Sequence, residues 1–311
     1  MNGKLEMRRR WWFRRAWLLL LVLTTLYAGC SKRHELRYRL PAGQTEADRV
    51  ANLAPDQPFS FVVYGDSRPG SLHRRLLKAI AAEKPDFVLH TGDLVSKGRD
   101  WNQWLTFDAD TWRFRQEFPF FPAMGNHDRG TGFVKVFTMP YADTAGVYYS
   151  FRAGNAKFVM LNSSYYELLK PGSPELNWLE NELADTTVTH IFVAFHHPPF
   201  SPNPKRDSVN TRITRSFLPL LVEHAGQVRC VFNGHDHFYY RTRRNGVTFL
   251  TTGGGGARLY RVDPKRTKPG DHWAEAHHYV RVDVDGRRVR LQAKTLDGEV
   301  VDSFELSAAS P

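Results

Sequence analysis

The chain has 311 residues, 41% of them hydrophobic and 24% charged. That mix excludes a disordered polypeptide and leaves room for one large α/β domain or two small ones. No period of roughly 20 to 50 residues recurs, which excludes a solenoid or propeller. The formal net charge is +11, but residues 1 to 29 hold six basic side chains (Lys4, Arg8, Arg9, Arg10, Arg14, Arg15) against one acid, Glu6, so the rest carries +6. Such an excess suits an anionic substrate or surface without requiring nucleic acid.

The amino terminus reads as an address. Ala16 to Ala28 is a thirteen-residue apolar run behind a basic stretch, too short to span a bilayer and of the right length for a signal-peptide core. It ends in Leu26-Tyr27-Ala28-Gly29-Cys30-Ser31, which resembles the lipobox of bacterial lipoproteins, although Tyr27 departs from the aliphatic residue usual there. The reading is a signal peptide over residues 1–29, then a lipidated Cys30 and a polar tether over 30–55. An uncleaved anchor helix is the alternative. Either way the folded part, residues 56–308, is expected outside the cytoplasm at the cell envelope. Cys30 and Cys230 lie in unlike contexts, so no disulfide framework is expected.

Beyond the tether, short apolar runs alternate with helical patterns. Phe59 to Tyr64 reads as a strand ending at Gly65-Asp66, followed by a helix from Ser71 with Leu72, Leu76, Leu77 and Ile80 at helical spacing. Asp86 to His90 is a strand ending at Gly92-Asp93. An aromatic-rich helix follows (Trp101, Trp104, Phe107, Trp112, Phe114, Phe118), then a strand from Phe120 to Met124 ending at Gly125-Asn126-His127-Asp128. Strands at Val147 to Phe151 and Lys157 to Leu161 precede a helix opened by Ser173-Pro174-Glu175, a cap followed by proline at the first helical position. Ile191 to Phe195 ends at His196-His197-Pro198-Pro199, a helix runs from Ile213 to His224, and Val228 to Phe232 ends at Gly234-His235-Asp236-His237. The carboxyl end reads as a β-meander turning at Asp285-Gly286 and Asp297-Gly298.

Strand after strand thus ends in Asp, Asn or His, at the edge where an open α/β sheet presents its ligand-binding loops. A lone Gly-Asp is a turn and a lone histidine is usually packed or solvated; it is the recurrence that points to a site. Carboxylate, amide oxygen and imidazole together suit Mn, Fe or Zn, and the absence of cysteine argues against a structural zinc.

The ordered set Gly65-Asp66, Gly92-Asp93, Gly125-Asn126-His127-Asp128, His196-His197-Pro198-Pro199 and Gly234-His235-Asp236-His237 resembles the calcineurin-like metallophosphoesterases over residues 59 to 241. His237-Phe238-Tyr239-Tyr240-Arg241 resembles their purple acid phosphatase-like branch. Protein serine/threonine phosphatases fit less well, because Gly92-Asp93-Leu94 lacks their Asp-Arg-Gly continuation and Asp128 stands for their usual Glu. The resemblance implies an α/β fold, a two-layer β-sandwich flanked by helices (αββα), and two metal ions. It implies that Asp66 and His237 hold the first metal, that Asn126, His196 and His235 hold the second, and that Asp93 bridges them. Two cations about 3.5 to 4 Å apart would supply a bridging hydroxide at neutral pH and neutralise charge on phosphate oxygens. His127 is expected to protonate the leaving alkoxide or bind a phosphoryl oxygen, with Asp128 fixing its tautomer and orientation.

Two positions depart from the family. Arg68 stands where many members have a first-metal histidine, and Ser96 where purple acid phosphatases have a tyrosine ligand. The first metal is therefore expected to be poorly held, while the Arg68 guanidinium suits a phosphate grip. His197 beside His196 is ambiguous, and His196, nearer the strand end, is taken as the ligand.

Other features read more blandly. Gly253 to Gly256 lacks the Lys-Ser/Thr of a nucleotide loop and reads as a tight turn near the site. Arg241 to Lys268 holds eight basic residues against Asp263, either a solvated loop or an electropositive rim. The aromatics from Trp101 to Phe121 read as core, His272, His277 and His278 as structural or exposed, and Pro198 to Pro204 as part of a rim. The function expected is hydrolysis of a phosphomonoester or phosphodiester by a lipid-anchored envelope enzyme. The alternatives are a non-catalytic metal- or phosphate-binding lipoprotein, motivated by Arg68 and Ser96, and a metal-dependent nuclease, weakened by export and by the lack of a nucleic-acid module.

Overall fold

Hydrophobic side chains occupy both faces of the inner strands, so each must be covered on two sides, and the architecture follows from that requirement. The structure, a computed structural model, describes residues 35–307, with the side chains of 206–210 and 307 excepted. The expected signal segment and Cys30 lie outside the described residues. Residues from Tyr38 onward form one compact unit.

In chain order the elements are β1 (Phe59–Tyr64), α1 (Ser71–Ala82), β2 (Phe87–His90), α2 (Trp101–Glu117), β3 (Phe120–Pro122), α3 (Gly132–Val136) and β4 (Tyr141–Asp143). Next come β5 (Tyr148–Ala153), β6 (Ala156–Met160), α4 (Pro174–Leu183), β7 (His190–Ala194), α5 (Asp207–Glu223) and β8 (Val228–Asn233). The last are β9 (Tyr239–Arg244), β10 (Val247–Thr252), β11 (His272–Ala274), β12 (His278–Asp285), β13 (Arg288–Thr295) and β14 (Val300–Ser307). A 6-stranded sheet has the order β14-β13-β12-β1-β2-β3, and an 8-stranded sheet the order β11-β9-β10-β8-β7-β6-β5-β4.

The two sheets meet through phenylalanines. Phe61 of the first sheet lies 5.1 Å from Phe158 and 5.2 Å from Phe192 of the second, ring centre to ring centre. Phe121 stacks on Phe151 at 3.7 Å. Such pairs add about 0.5–1.5 kcal/mol each beyond the area they bury. The next residue along each strand points outward, and there helices cover it. Val159, Val193 and Val231 pack with Leu179 and Leu183 of α4 and with Ile213, Phe217 and Leu221 of α5. On the first sheet's outer face Phe107 of α2 approaches Phe120, and the Tyr64 hydroxyl meets His73 Nε2 of α1 at 3.0 Å. This is the expected two-layer sandwich flanked by helices.

Most strands and helices fall within a few residues of their expected bounds. The Ser173 cap is formed, its Oγ accepting the Leu176 N–H at 3.3 Å, with Pro174 at the helix start. The short β4 and β11 at the edges of the second sheet and the β9–β10 hairpin are additions. The hairpin carries a local signal, Asn245-Gly246 at φ 50° and 83°, the pair favoured in two-residue turns.

One expectation needs correcting. The tether was expected to run to residue 55, yet from Tyr38 the chain is part of the folded unit. Tyr38 and Val50 are buried, Glu46 accepts the Tyr38 hydroxyl at 2.9 Å, and Arg49 donates to the Arg115 carbonyl at 2.8 Å. The reason is Arg115, a fully buried guanidinium 3.7 Å from Asp108 and 4.5 Å from the Tyr38 ring centre. Leaving that cation without neighbours would be costly, and the amino-terminal segment supplies an aromatic face and the Glu46 carboxylate.

Candidate metal centre

β1, β2 and β3 run parallel, as do β6, β7, β8 and β10. Their carboxyl ends therefore open at one edge of the sandwich, where loops from both sheets converge. The first sheet contributes Asp66, Asp93 and Asn126, and the second contributes His196, His235 and His237. Asp66, Arg68, Asp93 and His235 all carry positive φ (56°, 51°, 59° and 70°). Holding non-glycine residues there costs of order 1–3 kcal/mol each and is characteristic of functional loops. Space is also tight: a side chain at Gly125 would place its Cβ 2.2 Å from Asp93 Oδ1.

The expected ligands come together. His196 Nε2 lies 3.1 Å from Asn126 Oδ1, 3.2 Å from His235 Nδ1 and 3.4 Å from Asp93 Oδ1. His237 Nε2 lies 3.3 Å from Asp66 Oδ1, and Asp66 Oδ2 accepts the His235 N–H at 2.9 Å. Ligating atoms of Asp66, Asp93 and His196 all fall within 4.8 Å of one another, as do those of His196, His197 and His235. Two further contacts fix imidazole tautomers. His196 Nδ1 donates to the Thr91 carbonyl at 2.9 Å, and His237 Nδ1 donates to the Arg258 carbonyl at 2.7 Å. A carbonyl can only accept, so each neutral ring keeps its Nε2 lone pair facing the cleft, as in metal-ligating histidines. With the buried Asp66 and Asp93 carboxylates beside them, this oxygen and nitrogen donor set fits hard or borderline cations. Burial lowers the His237 pKa, but the Asp66 carboxylate outweighs it and raises it overall.

His127 lies at the rim, its Nε2 3.9 Å from Asp93 Oδ2 and its backbone N–H on Asp93 Oδ1 at 3.0 Å. The role expected of Asp128 differs. Its carboxylate accepts backbone N–H groups from Asp93 at 2.7 Å, Gly125 at 2.9 Å and Val95 at 3.1 Å, so it ties the Asp93 and Asn126 loops together. The His127 Nδ1–H goes instead to the Ser96 carbonyl at 2.8 Å. Burial and the neighbouring Asp93 charge push the Asp128 carboxyl up, against the pull of its N–H donors. Arg68 reaches the cleft with Nη2 3.8 Å from Asp93 Oδ2.

Several contributors were not foreseen. Ser163, after β6, meets both Nδ1 and the backbone N–H of His197, at 2.9 and 3.0 Å. Ser201 and Asn203, in the proline-rich rim, donate to the Asp236 carboxylate between the two β8-loop histidines. The Thr91, Ser96 and Arg258 carbonyls are backbone groups, which carry no residue signature. The glycine run packs against the site: a Cβ at Gly253 would lie 2.9 Å from Asp66 Oδ2. In the basic run, Arg241, Arg244 and Arg261 are paired with Asp302, Asp271 and Glu275, so much of that charge is neutralised locally.

Comparison with known families decides the membership: the calcineurin-like phosphoesterase family model matches residues 59–239. The chain belongs to the calcineurin-like phosphoesterase family. It is 26% identical over 223 residues to a probable purple acid phosphatase 20 of Arabidopsis thaliana, covering 64% of this chain and 52% of the relative. It is 29% identical over 128 residues to a 3′,5′-cyclic-nucleotide phosphodiesterase of a Nostoc species, covering 40% of this chain and 47% of that one. The structure of purple acid phosphatase PPD1 from yellow lupin seeds superposes with a TM-score of 0.72 at 21% identity, over 81% of this chain and 54% of that one. The chain thus spans about half the length of these relatives, and the lupin likeness shows the fold.

Proposed function

We propose that this chain is a metal-dependent hydrolase of a phosphomonoester or phosphodiester. The observation that carries the reading is the convergence of Asp66, Asp93, Asn126, His196, His235 and His237, with His196 and His237 locked by carbonyls in the ligand tautomer. Asp66, Asp93 and His237 would hold one cation, and Asp93, Asn126, His196 and His235 the other. Ions such as Mn, Fe or Zn bound there would lower the pKa of a coordinated water and offset charge on phosphate oxygens. His127 would deliver a proton from Nε2 to the leaving alkoxide, with Ser96 O accepting from Nδ1 and fixing the orientation of the ring. Arg68, partly open to solvent, would bind a phosphoryl oxygen. Relatives named phosphatase and phosphodiesterase support phosphoester chemistry and leave the ester class open.

The test is turnover of aryl phosphate mono- and diesters by protein stripped of metal and reloaded with Mn, Fe, Zn, Co or Mg. Metal-dependent turnover is expected. A blank panel with metal bound would leave the non-catalytic binding reading, which the Arg68–Asp93 contact favours. We also propose anchorage at the bacterial cell envelope through lipid on Cys30, supported by the apolar run and the Ala28-Gly29-Cys30 sequence. Cys30→Ser should release an active protein from membranes; unchanged attachment and mature mass would point to an uncleaved anchor.

A further inference from the structure

Asp93 offers its two oxygens to unlike surroundings. Oδ1 accepts the His127 N–H at 3.0 Å and lies 3.4 Å from His196 Nε2, on the side of Asn126 and His235. Oδ2 looks toward Arg68 Nη2 at 3.8 Å and His127 Nε2 at 3.9 Å. Arg68 is held there by a left-handed backbone, φ 51°, and its Nε is buried without a hydrogen-bond partner. The guanidinium therefore does not complete a structural network; a fixed positive charge faces the carboxylate that both halves of the centre share. A cation between Asp66 and His237 must use that same carboxylate against this charge, in a partly buried place where like charges repel more strongly than in water.

Building on the phosphoesterase reading, we propose that Arg68 makes the two metal positions unequal and couples the weaker one to phosphate. The Asn126–His196–His235 side loads first and tightly. The Asp66–His237 side loads weakly, because the guanidinium opposes a dication there. A phosphate group seated on Arg68 brings compensating negative charge, so ligand and second ion bind each other's complex more tightly, with reciprocal coupling. A chain built this way rests with one metal and completes its centre when an anionic phosphoester arrives.

The test is a Mn titration of metal-free protein by calorimetry and equilibrium dialysis, with and without inorganic phosphate, in wild type, Arg68→Gln and Arg68→Lys. These measurements do not depend on turnover. Wild type should show one tight equivalent and a second at least ~10-fold weaker, tightened ~10-fold or more by phosphate. Arg68→Gln should tighten the second equivalent without phosphate and lose most of the phosphate effect, leaving the first unchanged. Arg68→Lys, which keeps the charge, should follow wild type. Two equal equivalents in wild type, an unaltered second equivalent in Arg68→Gln, or Arg68→Lys behaving like Arg68→Gln would each overturn the proposal. Binding of no metal by a folded protein would overturn the phosphoesterase reading as well, whereas equal loading with turnover would overturn this inference alone.

Discussion

Asp128→Asn separates a carboxylate that orients His127 from one that holds two loops together. The wild-type carboxylate accepts three backbone N–H groups, two at Oδ2 (Asp93, Gly125) and one at Oδ1 (Val95). An amide best serves them by keeping its oxygen at the Oδ2 position, which points its NH2 at the Val95 N–H. The loss is then one hydrogen bond to a charged group, about 1.5–3 kcal/mol, plus about 1–3 kcal/mol for a buried donor facing a donor. Relief of repulsion with Asp93 offsets part of this, since that charge is one reason the Asp128 carboxyl is pushed up. A net destabilisation of about 2–4 kcal/mol follows, read by urea unfolding of metal-free protein. Because the tied loops carry Asp93 and Asn126, metal affinity should fall about 10–100-fold, read by titration. Acid catalysis by His127 should keep its dependence on the leaving group, since Ser96 O, not Asp128, receives Nδ1–H. Near-normal stability and metal affinity with that leaving-group dependence lost would refute the loop-tie account and restore Asp128 as the partner of His127.

Asp93→Asn should abolish turnover and lower metal content, because it removes the charge of the carboxylate shared by both halves; normal content and turnover would remove Asp93 from the centre. His127→Ala should cost on the order of 10² to 10⁴ in kcat with metal retained, and least for esters whose leaving group needs no proton; a uniform loss across leaving groups would argue against acid catalysis. Burial, helped by Arg74, depresses the His73 pKa to about 3, so in the window from about 6.5 down to about 3 the unfolded chain binds a proton that the folded one does not. Its contribution is intact above that window, and stability should fall with pH through it by about 1.4 kcal/mol per unit. His73→Gln, which can still accept from the Tyr64 hydroxyl, should flatten the slope of metal-free protein by one proton; an unchanged slope would refute it.

What the sequence alone determined is what local patterns encode. Apolar runs such as Phe59 to Tyr64 and Ile191 to Phe195 mark strands buried on both faces, and the polar clusters after them mark one sheet edge, because parallel strands end on the same side. The six residues that converge on the cleft needed only that regularity and the resemblance to be singled out. Tertiary structure decided what depends on partners far along the chain. Asp128 and His127 are sequence neighbours, yet the φ/ψ path of their loop sends one carboxylate to backbone N–H groups and one ring to Ser96 O. Backbone carbonyls that set tautomers are present at every residue, so no spacing reveals which will be used. Tyr38 to Val50 looks like a polar linker because its reason for folding, the buried Arg115 guanidinium, lies more than sixty residues away. The balance of charge around Asp93 is likewise a matter of which oxygen faces Arg68, and only the packed loops fix that.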